Sequence, residues 1–269
     1  MKPVSQLFDM LRAGWQYRGF VVSSVVNDFR VRVARSRLGT AWIVLQPLAQ
    51  VLIFATILSS VLAARLEGVD NKYAYSVYLM SGILCWSLFV EIVQRCITVF
   101  IDNASLLRKM QFPRITLPVV AIGSALVSNV ALLAVMLVIF PLLGFYPSLA
   151  WAWLPLLMVL TVALATGLGL LLGTLNVFAR DIGQVMAVVL QFWFWVTPIV
   201  YPVAIVPEAF KVTLVVNPVA PLVMAYHDVI VYGKAPGPGL WVVALTAVVL
   251  LAFSLLVFRR ASAELVDAL

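Results

Sequence analysis

Few side chains in this 269-residue sequence are placed to do chemistry. Glu91 and Arg95 come first: a carboxylate and a guanidinium four residues apart inside a long apolar stretch. On a helix that spacing puts both on one face, where they can pair. Either one alone in hydrocarbon would cost about 2.5–3.5 kcal/mol or more. Two readings stand: a paired structural element near a membrane interface, or a switch in a moving assembly, with Asp102 in reach as a third member. The one histidine, His227, precedes Asp228, and a structural hydrogen bond suits it better than catalysis. Cys85 and Cys96 share one expected helix, roughly 16 Å apart along its axis, and cannot join each other. No ligand cluster suggests a metal. The G-x-x-x-x-G-K-[ST] phosphate loop is missing, so this chain is not expected to hydrolyse ATP by that route or to be an enzyme.

Aromatic side chains offer a different chemistry. Trp86 and Phe89 stand in one apolar segment, and Phe192, Trp193, Phe194 and Trp195 run together in another, with Tyr201 beyond. Such rings form interfacial belts in membrane proteins. The alternative is a channel lining of Trp86, Phe89, Phe192, Trp193, Trp195 and Tyr201, along which sugar rings stack and slide. Ala165, Gly169 and Gly173 recur every four residues, a spacing that lets membrane helices approach closely.

The elements that position these residues follow from composition. The chain is 64% hydrophobic and 11% charged, with mean hydropathy +1.09. Soluble domains carry about a quarter charged residues, and a soluble core could not cover this much apolar surface. A bilayer core of ~30 Å takes ~20 helical residues. Runs of that length lie at 41–64, 73–100, 117–143, 151–177, 182–202 and 240–258, with Gly144 to Ser148 as the turn between the third and fourth. The expected fold class is an all-α membrane protein of six spans, organised as amphipathic helices over 1–37, a membrane domain over 38–260 and a tail over 261–269. No cleavable signal peptide is expected, since the first apolar run of bilayer length begins near Ala41.

Lys and Arg concentrate in residues 1–40, in Arg108, Lys109 and Arg114, at Arg180 and at Arg259–Arg260. The opposite loops carry Arg65, Lys72, Lys211 and Lys234. The positive-inside rule then places both termini in the cytoplasm. The net charge of +7 is better matched to anionic lipid than to nucleic acid. Two apolar stripes, Val4 to Trp15 and Val22 to Val33, are spaced for helices lying in the interface. Residues 203–234, broken by Pro207, Pro218 and Pro221, are too interrupted to span and suit a re-entrant hairpin between the fifth and sixth spans.

Four ordered blocks carry a resemblance. They are Asp28-Phe29-Arg30 with Arg35 to Trp42 and Gln46-Pro47; Asn103 to Arg114; Leu175 to Gly183 leading to Thr197 to Pro202; and Asn217 to Leu222 with Tyr226-His227-Asp228. Together they resemble the permease subunits of ABC-2 type exporters of O-antigen, capsule and teichoic acid, over nearly the whole chain. The resemblance implies a homodimer around a central channel, two copies of a separate ATPase subunit that bind ATP and Mg, and a lipid-linked (undecaprenyl-diphosphate) polysaccharide as cargo. It implies no cofactor in this chain, no nucleic acid, and residence in the bacterial inner membrane. It assigns docking on the ATPase to Asn103, Leu106, Leu107, Arg108, Lys109, Met110, Phe112 and Pro113. It assigns the cytoplasmic gate to Trp15, Arg30, Arg35 and Arg37, and the re-entrant gate to Asn217, Pro218, Pro221, Tyr226, His227 and Asp228. His227 departs from the pattern, which has arginine there in many relatives. O-antigen is favoured over capsule, and a drug or lipid permease is the rival within the class.

Overall fold

A computed structural model describes residues 17–34, 70–109, 112–262, 264 and 265, and scattered positions between 41 and 56. The described helices are α1 (Arg18–Ala34), α2 (Ala74–Asp102), α3 (Ala104–Lys109), α4 (Thr116–Leu142), α5 (Leu154–Phe178), α6 (Asp181–Val196), α7 (Glu208–Val216), α8 (Ala220–Ile230) and α9 (Gly239–Ala261). A 3-10 turn, Leu149–Trp153, leads into α5. The chain is all-helical among the described residues. Four segments are long and apolar enough to cross a membrane: α2, α4, Leu149–Phe178 and α9. The stretch expected as the first span, 41–64, and the first interfacial stripe lie outside the described residues, apart from isolated positions.

α2 is the axis of the bundle. Its Met80, Leu84, Leu88, Phe89 and Ile92 are fully buried, and α4, α5, α6 and α8 all pack on it. Between helices in lipid, close packing and cross-helix hydrogen bonds replace the hydrophobic drive. The small-residue stripe of α5 supplies the packing. A Cβ at Gly169 would stand 2.8 Å from Cys96 Cβ, and one at Gly173 would collide with the Cys96 carbonyl. On another face of α5, a Cβ at Gly167 would stand 2.9 Å from the Leu251 backbone nitrogen of α9. Cross-helix bonds add to this: Asn129 Nδ2 of α4 donates to the Leu84 carbonyl at 2.8 Å, and Asn176 Nδ2 of α5 donates to the Ile97 carbonyl at 2.9 Å.

The expected break after the third run is a Schellman cap. Gly144 takes φ +89°, the Phe145 N–H reaches the Phe140 carbonyl at 2.9 Å, and the Gly144 N–H reaches that of Pro141 at 3.0 Å. The fifth run differs from expectation. α6 stops at Val196 after 16 residues, about 24 Å of rise and short of a full crossing. Pro198 is the cause: it forces Thr197 to extended geometry, φ −91° and ψ 137°. The chain then folds back over the start of α2. α7 and α8 meet at 98°, so they form a bent pair rather than a straight span. α7 leaves Phe210, Val212, Val215 and Val216 exposed, whereas α8 is largely buried.

The helices alternate direction, which gathers their ends. The start of α2 lies with the end of α4, through Asn71 Nδ2 on the Leu143 carbonyl at 2.9 Å. Gly233, just before α9, lies against Ser148 at that same end. At the other end, Phe100 of α2 stacks on Phe258 of α9 with centroids 5.5 Å apart.

Candidate functional site

At the end that gathers α1, α3 and the close of α2, ionic groups hold the helices together. Arg95 Nε donates to Glu91 Oε1 at 2.9 Å, as the four-residue spacing predicts. Its Nη1 reaches Asp28 Oδ2 of α1 at 3.3 Å. The third member of the cluster is therefore Asp28, 67 residues away, while Asp102 lines the adjoining cleft. Ser128 of α4 adds a long contact to Glu91 at 3.5 Å. All three charged side chains are about a quarter to a third exposed. The cleft itself, about 440 Å³, is walled by Phe20, Asn27 and Asp28 of α1, Arg95 and Asp102 of α2, and Ser124 of α4.

α3 and the segment after it border that cleft. Asn103 ends α2 with Nδ2 on the Val99 carbonyl at 2.8 Å. Leu107 is buried and Leu106 packs against the core, whereas Arg108 and Lys109 are exposed. Phe112 faces Phe20 of α1 with centroids 5.7 Å apart. The Pro113 carbonyl accepts from the Thr116 hydroxyl at 2.7 Å, which starts α4. α1 sits on α4 through Val25, which a Cβ at Gly123 would approach to 2.8 Å, and its Arg30 is exposed. Met110, Trp15, Arg35 and Arg37 lie outside the described residues.

Buried hydrogen bonds hold the opposite end. The Tyr75 hydroxyl donates to the Val200 carbonyl, and that of Tyr78 to the Tyr201 carbonyl at 3.1 Å. Asn217, in the elbow between α7 and α8, ties three strands of chain together. Its Oδ1 accepts from Trp193 Nε1 at 2.9 Å and from the Val219 N–H at 3.0 Å, and its Nδ2 donates to Thr197 Oγ1 at 2.9 Å. Pro218 and Pro221 are half-buried beside it, and Pro221 opens α8. Tyr226 is fully buried. His227 stacks on Tyr78 with centroids 3.6 Å apart, but its Nε2 has no hydrogen-bond partner among the described residues. Its structural role combines that ring contact with the expected hydrogen bond, made to the Tyr78 backbone. The space comes from Gly82, where a Cβ would stand 2.9 Å from that nitrogen. Asp228 is half-buried, and its carbonyl accepts from the Lys234 N–H at 2.9 Å.

The aromatic residues divide into two groups. Phe89 is fully buried edge-on to Trp193, centroids 5.5 Å apart, so it is a core residue of the α2–α6 seam and lines no surface. Trp193 is half-buried and committed to Asn217. Trp86 shows only a sliver of surface beside Phe194, 5.8 Å away. Phe192 and Trp195 are 70% and 61% exposed. Tyr201 is half-buried, its hydroxyl on the Trp195 carbonyl at 3.0 Å.

The sequence reading missed Asp28 as the partner of Arg95, the two tyrosines, and Asn176. Asn176 fastens the Gly183 N–H of α6 at 2.9 Å while holding α2. The one available signal was that Asn176 and Asn217 are amides inside otherwise apolar stretches, where an unpaired amide is expensive.

The sequence that builds this bundle matches a known family. The ABC-2 type transporter family model matches residues 21–231. The chain belongs to this family. It is accordingly a multi-pass membrane protein and a transporter subunit. Among relatives of this ABC-2 permease, an O-antigen export system permease protein RfbA of Klebsiella pneumoniae is 27% identical over 238 residues, covering 87% of this chain and 88% of that one. One of the same name from Myxococcus xanthus is 26% identical, covering 97% and 99%. The polysialic acid transport protein KpsM of Escherichia coli is 22% identical, covering 93% and 96%.

Proposed function

We propose that this chain is the membrane subunit of an ATP-driven exporter that carries lipid-linked polysaccharide, O-antigen in the first instance, from cytoplasm to periplasm. The observation that carries this reading is the match to O-antigen export permeases over almost their whole length. Six spans complete the topology, with 41–64 as the first and 182–202, α6 together with the chain that follows it, as the fifth, and then the re-entrant pair α7–α8. Both termini are cytoplasmic and the membrane is the bacterial inner membrane. The alternation of basic and less basic loops supports that orientation.

The working unit is a homodimer with two ATPase subunits, which bind the ATP and Mg. Residues 103–113 are the docking segment, and the exposed Arg108 and Lys109 present the charge that meets the ATPase. Motion of the docked segment reaches α1 through the Phe112–Phe20 contact, and α2 through Asp28 and Arg95. ATP drives opening because it binds one arrangement of the assembly better than the other. A glycan too long to be enclosed is then moved processively, on an undecaprenyl-diphosphate carrier, past exposed rings such as Phe192 and Trp195.

Deletion of the gene tests this. Surface polymer should disappear while lipid-linked glycan accumulates inside the cell, by gel and by intracellular glycan staining. Unchanged surface glycans in a strain with no second exporter would refute it.

A further inference from the structure

α2 buries most of its surface, and what it leaves open is polar. Gln94, Thr98 and Asp102 are exposed at four-residue spacing, beside half-buried Ser87, Glu91 and Arg95. α6 is open over most of its surface, chiefly at apolar residues such as Val185, Val188 and Phe192, with two amides among them. Gln184 and Gln191, seven residues apart and so on one face, are both exposed on a helix without a charge beyond Asp181. One amide from each helix enters a groove of about 300 Å³ between them, where Gln94 and Gln191 stand among Trp86, Val90, Leu190, Phe194 and Trp195. Neither amide makes a hydrogen bond among the described residues. An unpaired amide against lipid is costly, so both must face water or a polar ligand.

We propose that this groove is a saccharide subsite, in which Gln94 and Gln191 bind the hydroxyls of uncharged hexose rings passing along the transport path. This rests on the exporter reading above and names the chemical class of its cargo. A primary amide offers both donors and an acceptor, which suits the vicinal hydroxyls of a pyranose in more than one orientation. The tryptophan rings take the C–H faces of the same sugar. Such contacts hold no single atom firmly, as a path for a sliding polymer requires.

The electrostatics select neutral sugars. No lysine, arginine or carboxylate lines the groove. The nearest cation in the sequence of α2, Arg95, is already shared between Glu91 and Asp28. Residues 41–64 and 115–179 carry no charge at all. A polymer with a carboxylate on every repeat would bring each charge into a groove that offers it no cation. A neutral glycan brings no charge there, and its hydroxyls can pair with the two amides.

Two measurements test this together. The first is sugar analysis of the polymer that the gene deletion removes from the surface. Neutral hexoses and deoxyhexoses throughout the repeat are expected; a uronic or nonulosonic acid in each repeat overturns the proposal, whatever variants do. The second is complementation by Gln94→Leu, Gln191→Leu and the double variant, with membrane abundance and co-purification of the ATPase subunit as controls. At equal abundance, the double variant should export about tenfold less polymer, from two hydrogen bonds of ordinary net strength. Gln191→Asn, which keeps the amide, should retain part of it. Normal export by the double variant in a strain where deletion abolishes surface polymer overturns the groove and leaves the exporter reading standing. Unchanged surface glycans on deletion overturn both.

Discussion

The Asp28–Arg95 contact makes the sharpest mechanical claim, because it alone joins α1 to α2 by charge among the described residues. At 3.3 Å the bare Coulomb attraction is about 1.3 kcal/mol in water and about 5 kcal/mol at an effective dielectric of 20. Both side chains are a quarter to a third exposed, so screening and ordering cost reduce the net value to about 1 kcal/mol. That corresponds to about a fivefold change in how often α1 opens from α2. Asp28→Asn should therefore speed backbone hydrogen exchange over residues 21–34 about fivefold, in the complete complex in lipid nanodiscs, by mass spectrometry. Arg95→Gln should do the same, since its other partner, Glu91, lies on α2 itself and does not hold α1. The double variant should exchange no faster than Arg95→Gln alone, because the interaction it would remove is already gone. Strictly additive effects, or exchange unchanged by Asp28→Asn, would show that the pair does not fasten α1.

Four further outcomes are expected. Gly173→Leu should destabilise the fold by ~1–3 kcal/mol or more and so lower membrane abundance and melting temperature, since any side chain there meets the Cys96 carbonyl and pushes α5 off α2; an unchanged melt in detergent would contradict that packing. Asn217→Ala should expose the 197–220 region to limited proteolysis, because it strands the Trp193 N–H and the Thr197 hydroxyl at ~1–3 kcal/mol. Asn217→Asp, which keeps the acceptor for Trp193, should be intermediate in the same assay. Arg108→Glu with Lys109→Glu should abolish co-purification of the ATPase while leaving the permease melt unchanged, whereas Leu107→Ala should lower the melt itself, because Leu107 faces its own core.

How far the sequence could be read depended on the range of the interaction. The second, third and sixth runs match α2, α4 and α9 to within a few residues, because their ends are set by charges and turn formers next to them in sequence. The fifth run gives a shorter helix than 182–202 for a reason equally local. The sequence offers Pro198 and Pro202 as ends for that run, and Pro198 is the one that stops the helix, well before the hydrophobicity ends. Glu91–Arg95 was legible because a helix brings fourth neighbours together whatever surrounds it. Asp28 was not, since nothing in 67 residues of intervening sequence says which helix α1 will cross. The aromatic cluster shows the same limit. Phe89 and Phe192 are indistinguishable in sequence, yet one is fully buried and the other 70% exposed. Which ring meets a neighbour is decided by the rotation of α6 on α2.

The two ends of the bundle are held by different forces, and that difference bears on which end moves. At the elbow, Asn217 binds Thr197 and the Val219 N–H out of reach of water, so breaking those bonds leaves unsatisfied buried groups, while the part-buried bonds of Tyr75 and Tyr78 add to them. At the α1 end, Arg95, Glu91 and Asp28 are partly wet, so an opened pair is repaid by solvent and the net cost is small. Separating α1 from α2 is therefore far cheaper than separating the 197–201 segment from α2. A force delivered through residues 103–113 meets its weakest joint first at α1, next to the cleft walled by Asn27, Asp28 and Asp102. The elbow opens only if something replaces its hydrogen bonds as they break. A chain of sugar hydroxyls arriving from the α2–α6 groove is a group of that kind, which would make opening of the far gate depend on the presence of cargo.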